Sequence, residues 1–340
     1  MTATGDDDWS LSGSTDPLAR YYDLAMLDLD GVVYIGGDAV PGAPEHVAAV
    51  REAGMRVAFI TNNAARPPAR VAGHLRGLGV QADDTDVVTS AQAAARLLEE
   101  RLGEGGRVLV LGADGLTEAL AEAGLVVVGV EDDAQAVVTG YGPDVRWSDI
   151  MRAAVRIRDG LWWVACNTDL TIPTEFGVAP GHGVLVETIQ RFSGVEAVVA
   201  GKPARPLLDE TVRRCGGEHP LMVGDRLDTD IEGARAAGVD ALLVMTGVTG
   251  LAELVAATPE QRPTYVAADL GGLTRSQPVP EATADAVTLG GWTARTAGGA
   301  LRVDGSGAPD DWWRTVAVAA WRHLDEHGEP VGTDGVAPPE

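Results

Sequence analysis

The chain has 340 residues, which suits two domains, and 45% of them are hydrophobic, which is enough to form buried cores. Its 50 acidic and 26 basic residues give a formal charge of −24, and a field of that sign repels nucleic acid and anionic membranes. The two cysteines, Cys166 and Cys215, lack metal-binding spacing and fit a reducing cytoplasm. The composition therefore predicts a cytoplasmic α/β protein that binds neither nucleic acid nor membrane.

The N-terminal part of the chain predicts a tail followed by a strand. Residues 1–20 carry acids and small polar residues, with no basic or apolar region of a signal peptide, so we expect a disordered acidic tail. Residues 24–30 form an apolar run that ends in acids, which is typical of a buried parallel strand. A second strand is predicted over 55–60 and a helix over 67–78, beginning with two prolines.

The rest of the chain predicts an inserted domain and an appendage. Apolar runs alternate with helical stretches over 88–191, which indicates a second α/β unit inserted into a first one formed by 21–87 and 192–272. A predicted hairpin, followed by an amphipathic helix rich in tryptophan, indicates a ββα unit over 285–328.

The sequence Asp28-Leu29-Asp30-Gly31 follows the first predicted strand. A carboxylate can attack phosphorus and form an acyl phosphate, while a second carboxyl group acts as general acid and then as general base. Side chains alternate along a strand, so the two acids can point in different directions. A solvated turn at the strand end is the alternative interpretation.

Two further patterns favour a phosphate site. Thr61, Asn62 and Asn63 precede a predicted helix, where a hydroxyl and backbone N–H groups can cradle a phosphate, although plain helix capping is the alternative. Lys202 can supply a positive charge to phosphoryl oxygens, although most lysines are simply exposed. Pro203 excludes the P-loop of nucleotide-binding proteins, which requires Ser or Thr there.

A cluster of acids over 224–230 follows another apolar strand. Carboxylate oxygens suit Mg²⁺, which binds a few carboxylates together with water and phosphate. We predict that Asp225 binds the metal directly and that Asp230 is an indirect partner that orients Lys202. Asp228 is predicted to cap a helix.

These four motifs, in this order, resemble those of the haloacid dehalogenase-like hydrolase superfamily over about residues 24–270. Asp30 is similar to the second acid of its phosphatases and phosphomutases. The interval from Asp28 to Thr61 is too short for a cap, whereas the interval from Thr61 to Lys202 is long enough. The resemblance to C2a-capped phosphatases implies an α/β fold, with a Rossmann-like parallel-sheet core, an inserted C2a cap and a small C-terminal ββα appendage.

The resemblance also implies residue roles and a reaction. Asp28 would be the nucleophile and Asp30 the acid/base, and Mg²⁺ would be held by the side chains of Asp28 and Asp225 and the backbone carbonyl of Asp30. Thr61 and Lys202 would bind the phosphoryl group. The implied activity is hydrolysis of a small phosphate monoester, with glycerol 3-phosphate the leading substrate and phosphoglycolate, sugar, nucleotide and aryl phosphates as alternatives. A non-catalytic ligand-binding protein on this fold is the alternative of another class.

The cap predicts substrate contacts and a dimer surface. The loop over 167–183 follows a predicted strand, and Asn167, Asp169 and His182 in it are candidate substrate contacts. The alternatives are turn-forming roles for the first two and a solvated histidine. A homodimer formed through the cap is also a prediction, because three tryptophans of the cap indicate a candidate dimer surface: Trp147, Trp162 and Trp163.

Overall fold

The computed structural model describes residues 10–174 and 176–339. The chain forms two compact units, the first made of Met1–Val57 and Gly217–Glu340 and the second of Ala58–Gly216. The second unit thus contains the predicted cap together with parts of the predicted core, and the domain bounds given above stay predictions. Within the described residues, no helix has the length and apolar character needed to cross a membrane.

The first unit begins with five short elements. They are α1 (Leu18–Tyr21), β1 (Leu24–Leu27), β2 (Tyr34–Ile35), β3 (Asp38–Ala39) and α2 (Ala43–Glu52). All four residues of β1 are buried, as the apolar run predicts.

The predicted disordered tail over 1–20 is wrong where the structure describes it, and residues 1–9 lie outside the described residues. Leu11 and Leu18 are buried in the first unit. Ser14 and Gln277 also exchange two backbone hydrogen bonds of 2.8 and 2.7 Å. Apolar burial outweighs the polar composition from which the tail was predicted.

The second unit alternates strands and helices. Its elements are β4 (Arg56–Thr61), α3 (Pro68–Gly77), β5 (Val87–Thr89), α4 (Ser90–Leu102), β6 (Arg107–Leu111), α5 (Asp114–Glu122), β7 (Val126–Val128), β8 (Ala136–Thr139), α6 (Trp147–Arg158), β9 (Trp162–Ala165), β10 (Thr171–Thr174), β11 (Gly177–Pro180), α7 (His182–Ser193), β12 (Val198–Val199) and α8 (Pro206–Cys215). The unit boundary falls inside β4.

The strands of this unit pair mostly in parallel. β12, β9, β8, β6 and β7 lie in that order in one parallel sheet, and β4 pairs in parallel with β5. β10 and β11 form an antiparallel hairpin. Trp163 is 1% exposed and donates to Thr139 Oγ1 at 3.1 Å, so it is a core residue and not the surface residue considered above. The guanidinium of Arg101 lies 4.5 Å from the ring centre of Trp162.

The first unit resumes with ten elements. They are β13 (Pro220–Gly224), α9 (Glu232–Ala237), β14 (Asp240–Val244), α10 (Leu251–Val255), β15 (Tyr265–Ala267), β16 (Glu281–Ala282), β17 (Val287–Leu289), β18 (Trp292–Ala297), β19 (Ala300–Gly305) and α11 (Pro309–His327). In this unit β15, β14, β13 and β1 are successive parallel neighbours.

The C-terminal appendage has more strands than predicted. β16, β17, β18 and β19 form an antiparallel sheet, so the ββα prediction over 285–328 is wrong in strand number. β16 and β17 are too short to show an alternating pattern. Helix α11 buries Trp312, Trp313 and Trp321, and the indole of Trp321 donates to Leu254 O at 2.8 Å. The appendage therefore packs into the first unit.

Candidate functional site

Three carboxylates of the first unit meet at the C-terminal ends of neighbouring strands. β1 and β13 are parallel, so Asp28 and Asp225, which follow them, emerge at the same edge. Asp230 follows in a short π-helix, Leu227–Ile231. One oxygen from each carboxylate lies within 4.8 Å of the others, and Asp225 and Asp230 are buried.

The surroundings of these carboxylates fit Mg²⁺. A Cβ atom at Gly31 would lie 2.4 Å from Asp225 Oδ2, and one at Gly247 would lie 2.0 Å from it. A Cβ atom at Gly224 would lie 2.2 Å from the Cβ of Asp230. Glycine at these positions is what makes room for the acids. Because adjacent buried carboxylates repel one another, and because hard oxygen donors suit Mg²⁺, a bound cation of this kind is the natural complement.

The other acids of the two motifs have different surroundings. The side chain of Asp30 is exposed, and its predicted metal contact is through the backbone carbonyl. Asp230 Oδ2 accepts hydrogen bonds from the N–H groups of Asp225 and Arg226 at 3.2 and 3.1 Å, so it also holds the turn. Its predicted effect on Lys202 stays a prediction. Asp228 accepts two hydrogen bonds from the guanidinium of Arg226, which lowers the pKa of its carboxyl.

The residues predicted to bind phosphate lie in the second unit. Thr61 ends β4 and is buried, and its Oγ1 accepts a hydrogen bond from Asn63 N at 3.1 Å. Asn63 Oδ1 accepts from Ala65 N at 2.9 Å, which forms a side-chain turn ahead of α3. Lys202 follows β12 and is only 2% exposed. Such burial is rare for lysine and argues against a simple surface role.

Asn62 connects these two segments. Its Oδ1 accepts from Lys202 N at 2.8 Å, while its Nδ2 donates to Lys202 O at 3.0 Å and to Asp169 Oδ1 at 3.1 Å. Its backbone oxygen accepts from Asn167 Nδ2 at 2.7 Å and from Ser90 Oγ at 2.6 Å. These five residues are called the Asn62 network below. The network fixes the backbone on both sides of the lysine side chain.

The three candidate substrate contacts of the predicted cap have different exposures. Asn167 and His182 are 3% and 4% exposed, and Asp169 is half-buried. Asn167 Oδ1 accepts from Asp169 N at 3.1 Å, and Gly183 N donates to Asp169 O at 2.8 Å. A Cβ atom at Gly183 would lie 2.2 Å from Thr168 O. The start of α7 is therefore packed tightly on this loop, and substrate contact by the three residues stays a prediction.

His182 is a buried, neutral residue. Its Nδ1 lies 2.8 Å from Asn167 O, and because a carbonyl only accepts, Nδ1 must carry the proton. Burial lowers the pKa of the imidazole to about 4, against a smaller raising effect of this hydrogen bond. Within the described part of the chain, its buried Nε2 has no hydrogen-bond partner.

Acidification is expected to destabilise the fold through His182. The unfolded chain protonates this imidazole near its ordinary pKa of 6.5, whereas the folded chain does so only near 4. Between these values the unfolded state binds more protons, so this residue should lower the free energy of unfolding by about 3 kcal/mol from pH 7 to pH 4. Urea unfolding measured across this range checks the expectation.

The matched variant is His182→Asn, whose side-chain amide keeps a donor toward Asn167 O but does not titrate. Its unfolding free energy should fall less steeply with acid than that of the unmodified protein. Identical pH slopes in the two proteins would contradict the assignment.

The segment from Thr246 to Thr249 also contacts this site and is not among the residues predicted from the sequence. Thr246 Oγ1 donates to Gly31 O and Val248 N donates to Asp225 Oδ2, both at 2.6 Å. The available signal was its position just after β14, the parallel neighbour of β13, because polar residues at such strand ends share one edge of the sheet.

Comparisons with known proteins place the chain in a family. Residues 25–126 match a sequence model of haloacid dehalogenase-like hydrolases, and residues 199–273 match a second, HAD-hydrolase-like model. The D-glycerol 3-phosphate phosphatase of Mycobacterium tuberculosis is 42% identical over 326 residues, which cover 92% of this chain and 90% of that protein. The 5′-nucleotidase YutF of Bacillus subtilis is 34% identical, over 68% of this chain and 90% of its own.

The solved structures agree with the sequence relatives. A crystal structure of the glycerol phosphate phosphatase of Mycobacterium tuberculosis in complex with magnesium matches with a TM-score of 0.83 and 42% identity, covering 93% of this chain and 94% of that one. The predicted α/β class with a Rossmann-like parallel core is thereby confirmed. The chain belongs to the haloacid dehalogenase-like hydrolases.

Proposed function

We propose that this hydrolase is a Mg²⁺-dependent phosphatase that acts on glycerol 3-phosphate through an aspartyl-phosphate on Asp28. The observation that carries the proposal is the 42% identity to a glycerol 3-phosphate phosphatase across 92% of the chain. A match of that extent must include part of the C-terminal appendage, whereas the match to the 5′-nucleotidase covers only 68% of the chain. The more extensive match favours glycerol 3-phosphate over a nucleotide as the substrate.

In the proposed reaction, a carboxylate oxygen of Asp28 attacks phosphorus, and the bond from phosphorus to the glycerol oxygen breaks. Asp30 gives its proton to that oxygen, so glycerol leaves as an alcohol. Asp30 then takes a proton from water, and the water oxygen attacks phosphorus. The bond between phosphorus and the Asp28 oxygen breaks, which releases inorganic phosphate and restores the carboxylate of Asp28. In this proposal Asp28, the Asp30 carbonyl and Asp225 would hold Mg²⁺, and the carboxylate of Asp230 lies in the same cluster as those of Asp28 and Asp225.

Charge balance is the main requirement of this mechanism. The chain carries a formal charge of −24, which disfavours a phosphate ester. When bound, Mg²⁺ would offset the charge of the carboxylates and polarise phosphoryl oxygens. We propose that Thr61, Asn62, Asn63 and Lys202 bind the phosphoryl group.

The substrate proposal is tested with a panel of phosphate esters. Purified protein with Mg²⁺ is assayed for phosphate release from both enantiomers of glycerol 3-phosphate, 2-phosphoglycolate, a sugar phosphate, a 5′-nucleotide and p-nitrophenyl phosphate. We expect kcat/KM for glycerol 3-phosphate to exceed the others by about tenfold or more. A higher value for another ester would replace the substrate. Mg²⁺ binding without any phosphate release would favour the non-catalytic alternative.

We also propose a cytoplasmic location, which is supported by Cys166 and Cys215 both being thiols. Recovery of the protein outside the cytoplasm would contradict it.

Homodimer formation stays a prediction. It is favoured by three exposed apolar residues at successive turns of α6, where Trp147 is 63%, Met151 56% and Val155 37% exposed. A single-chain mass by light scattering would contradict the dimer.

A further inference from the structure

The segment Thr246–Thr249, which follows β14 and is called the strap below, is hydrogen-bonded to the loops that carry the carboxylate cluster. Val248 N donates to Asp225 Oδ2 at 2.6 Å, and Thr249 N donates to Asp225 O at 3.2 Å. At the other end, Thr246 Oγ1 donates to Gly31 O at 2.6 Å. The strap therefore contacts both strand-end loops from which the acids project.

The hydroxyl of Thr246 completes the fixation of Gly31. Gly31 N donates to Tyr34 O at 2.8 Å, and its carbonyl accepts from Thr246, so both peptide groups flanking this residue are bonded. In a trans peptide the C=O and N–H point in opposite directions. The direction of Gly31 N–H therefore sets the direction of the Asp30 carbonyl. Gly31 also has a φ of +86°, which glycine adopts without cost. Because glycine adopts many other backbone conformations as readily, these hydrogen bonds are what restrict Gly31 to this one.

The strap contributes to the cluster through polar groups more than through packing. The side chain of Val248 is 66% exposed, although its N–H is bonded to Asp225. A Cβ atom at Gly247 would lie 2.0 Å from Asp225 Oδ2, so only glycine leaves room for the carboxylate at this position. A segment held only for burial would present its apolar side chain inward instead.

We propose that the strap positions the Mg²⁺ ligands: Thr246 is a positioning residue that holds the peptide after Gly31, next to the Asp30 carbonyl, and Val248 N–H fixes the rotation of the Asp225 carboxylate. The inference rests on the proposed function only in taking Mg²⁺ as the ion. Groups that orient metal ligands through hydrogen bonds commonly change metal affinity by about 10–100-fold when removed.

The test compares Thr246→Val, which removes the hydroxyl at nearly constant shape, with Thr246→Ser, which keeps it. Mg²⁺ binding to EDTA-treated, dialysed full-length protein is measured by calorimetry, and urea unfolding is measured in EDTA. We expect Thr246→Val to raise the Mg²⁺ dissociation constant about tenfold and Thr246→Ser to stay within about twofold of the unmodified protein. In EDTA all variants should unfold as folded proteins do, with a slightly lower midpoint for Thr246→Val because it lacks one hydrogen bond. If Thr246→Val does not fold, Thr246→Ala provides the same comparison.

Two outcomes would overturn the proposal: unchanged Mg²⁺ affinity in Thr246→Val, or an equal loss of affinity in Thr246→Val and Thr246→Ser. The measurement is independent of turnover. If the unmodified protein releases no phosphate while Thr246→Val still binds Mg²⁺ about tenfold more weakly, the proposed function fails and the strap assignment stands. If the unmodified protein is active and the valine variant binds Mg²⁺ normally, the strap assignment fails alone.

Discussion

Replacing Asp28 with asparagine is expected to reduce phosphate release from glycerol 3-phosphate by at least about 10⁴-fold, because an amide cannot form the acyl phosphate. Asparagine has the same shape and Asp28 is only half-buried, so the variant should fold. Phosphate release at saturating substrate and Mg²⁺ gives the rate. A phosphorylated peptide containing Asp28 should be recovered after rapid quenching of the unmodified enzyme and be missing from the variant.

The matched control is Asp228→Asn. Asp228 lies in the first unit, as Asp28 does, and its replacement removes the same single charge from the chain. Its carboxylate is paired with Arg226 at the surface. Exposed pairs of this kind contribute at most about 1 kcal/mol to the free energy of unfolding, so the control should fold as the unmodified enzyme does. Its turnover should therefore stay within about twofold of that of the unmodified enzyme. Turnover of Asp28→Asn close to that of the control would refute the assignment of Asp28 as nucleophile.

Much of the fold was predictable because its strongest signals are local. β1 and β13 are apolar runs followed by acids, a pattern that buried parallel strands produce directly. The start of α4 is also local: Thr89 Oγ1 accepts from Gln92 N, and Gln92 Oε1 accepts from Thr89 N. By contrast, the ordered segment around Leu11 depends on burial against residues far along the chain, which composition does not report.

The candidate site was predictable only in part, because some of its contacts join residues far apart in the chain. Asp28 and Asp225 follow recognisable strands, and their convergence follows from parallel pairing. The position of Asp230 within the cluster depends on a π-helix, which has no reliable sequence pattern. The contact of Asn62 with Lys202 joins residues 140 positions apart, and nothing in a local window distinguishes it from helix capping. Tertiary hydrogen bonds of this kind become apparent only in the three-dimensional structure.

The Asn62 network leads to the second large expected effect, for the substitution Asn62→Asp. The change keeps the side-chain shape but replaces Nδ2, which donates to Lys202 O at 3.0 Å and to Asp169 Oδ1 at 3.1 Å, with an oxygen. Two hydrogen bonds become repulsive contacts, one of them between carboxylates. We expect the free energy of unfolding to fall by about 3 kcal/mol. Because the backbone beside Lys202 is released, kcat/KM should fall about 100-fold.

The comparison for this substitution is Gln190→Glu, which also replaces an amide beside a carboxylate in the second unit. Gln190 Nε2 lies 3.4 Å from Glu196 Oε1 in an exposed contact, so water screens the new repulsion and the loss should be about 0.5 kcal/mol or less. Urea unfolding of the two variants at neutral pH measures the difference. Equal losses would show that the amide of Asn62 does not hold the network.

Acidification supplies a second readout that a general packing defect would not produce. In the folded Asn62→Asp variant, repulsion from Asp169 raises the pKa of the introduced carboxyl group above its unfolded value. The folded state then binds the proton more tightly than the unfolded state, so protonation stabilises the variant relative to the unmodified protein. The protonated group also regains a donor for Lys202 O. The stability gap between the two proteins should therefore narrow as the pH falls from 7 toward 5, whereas a gap caused by lost packing would stay constant across that range.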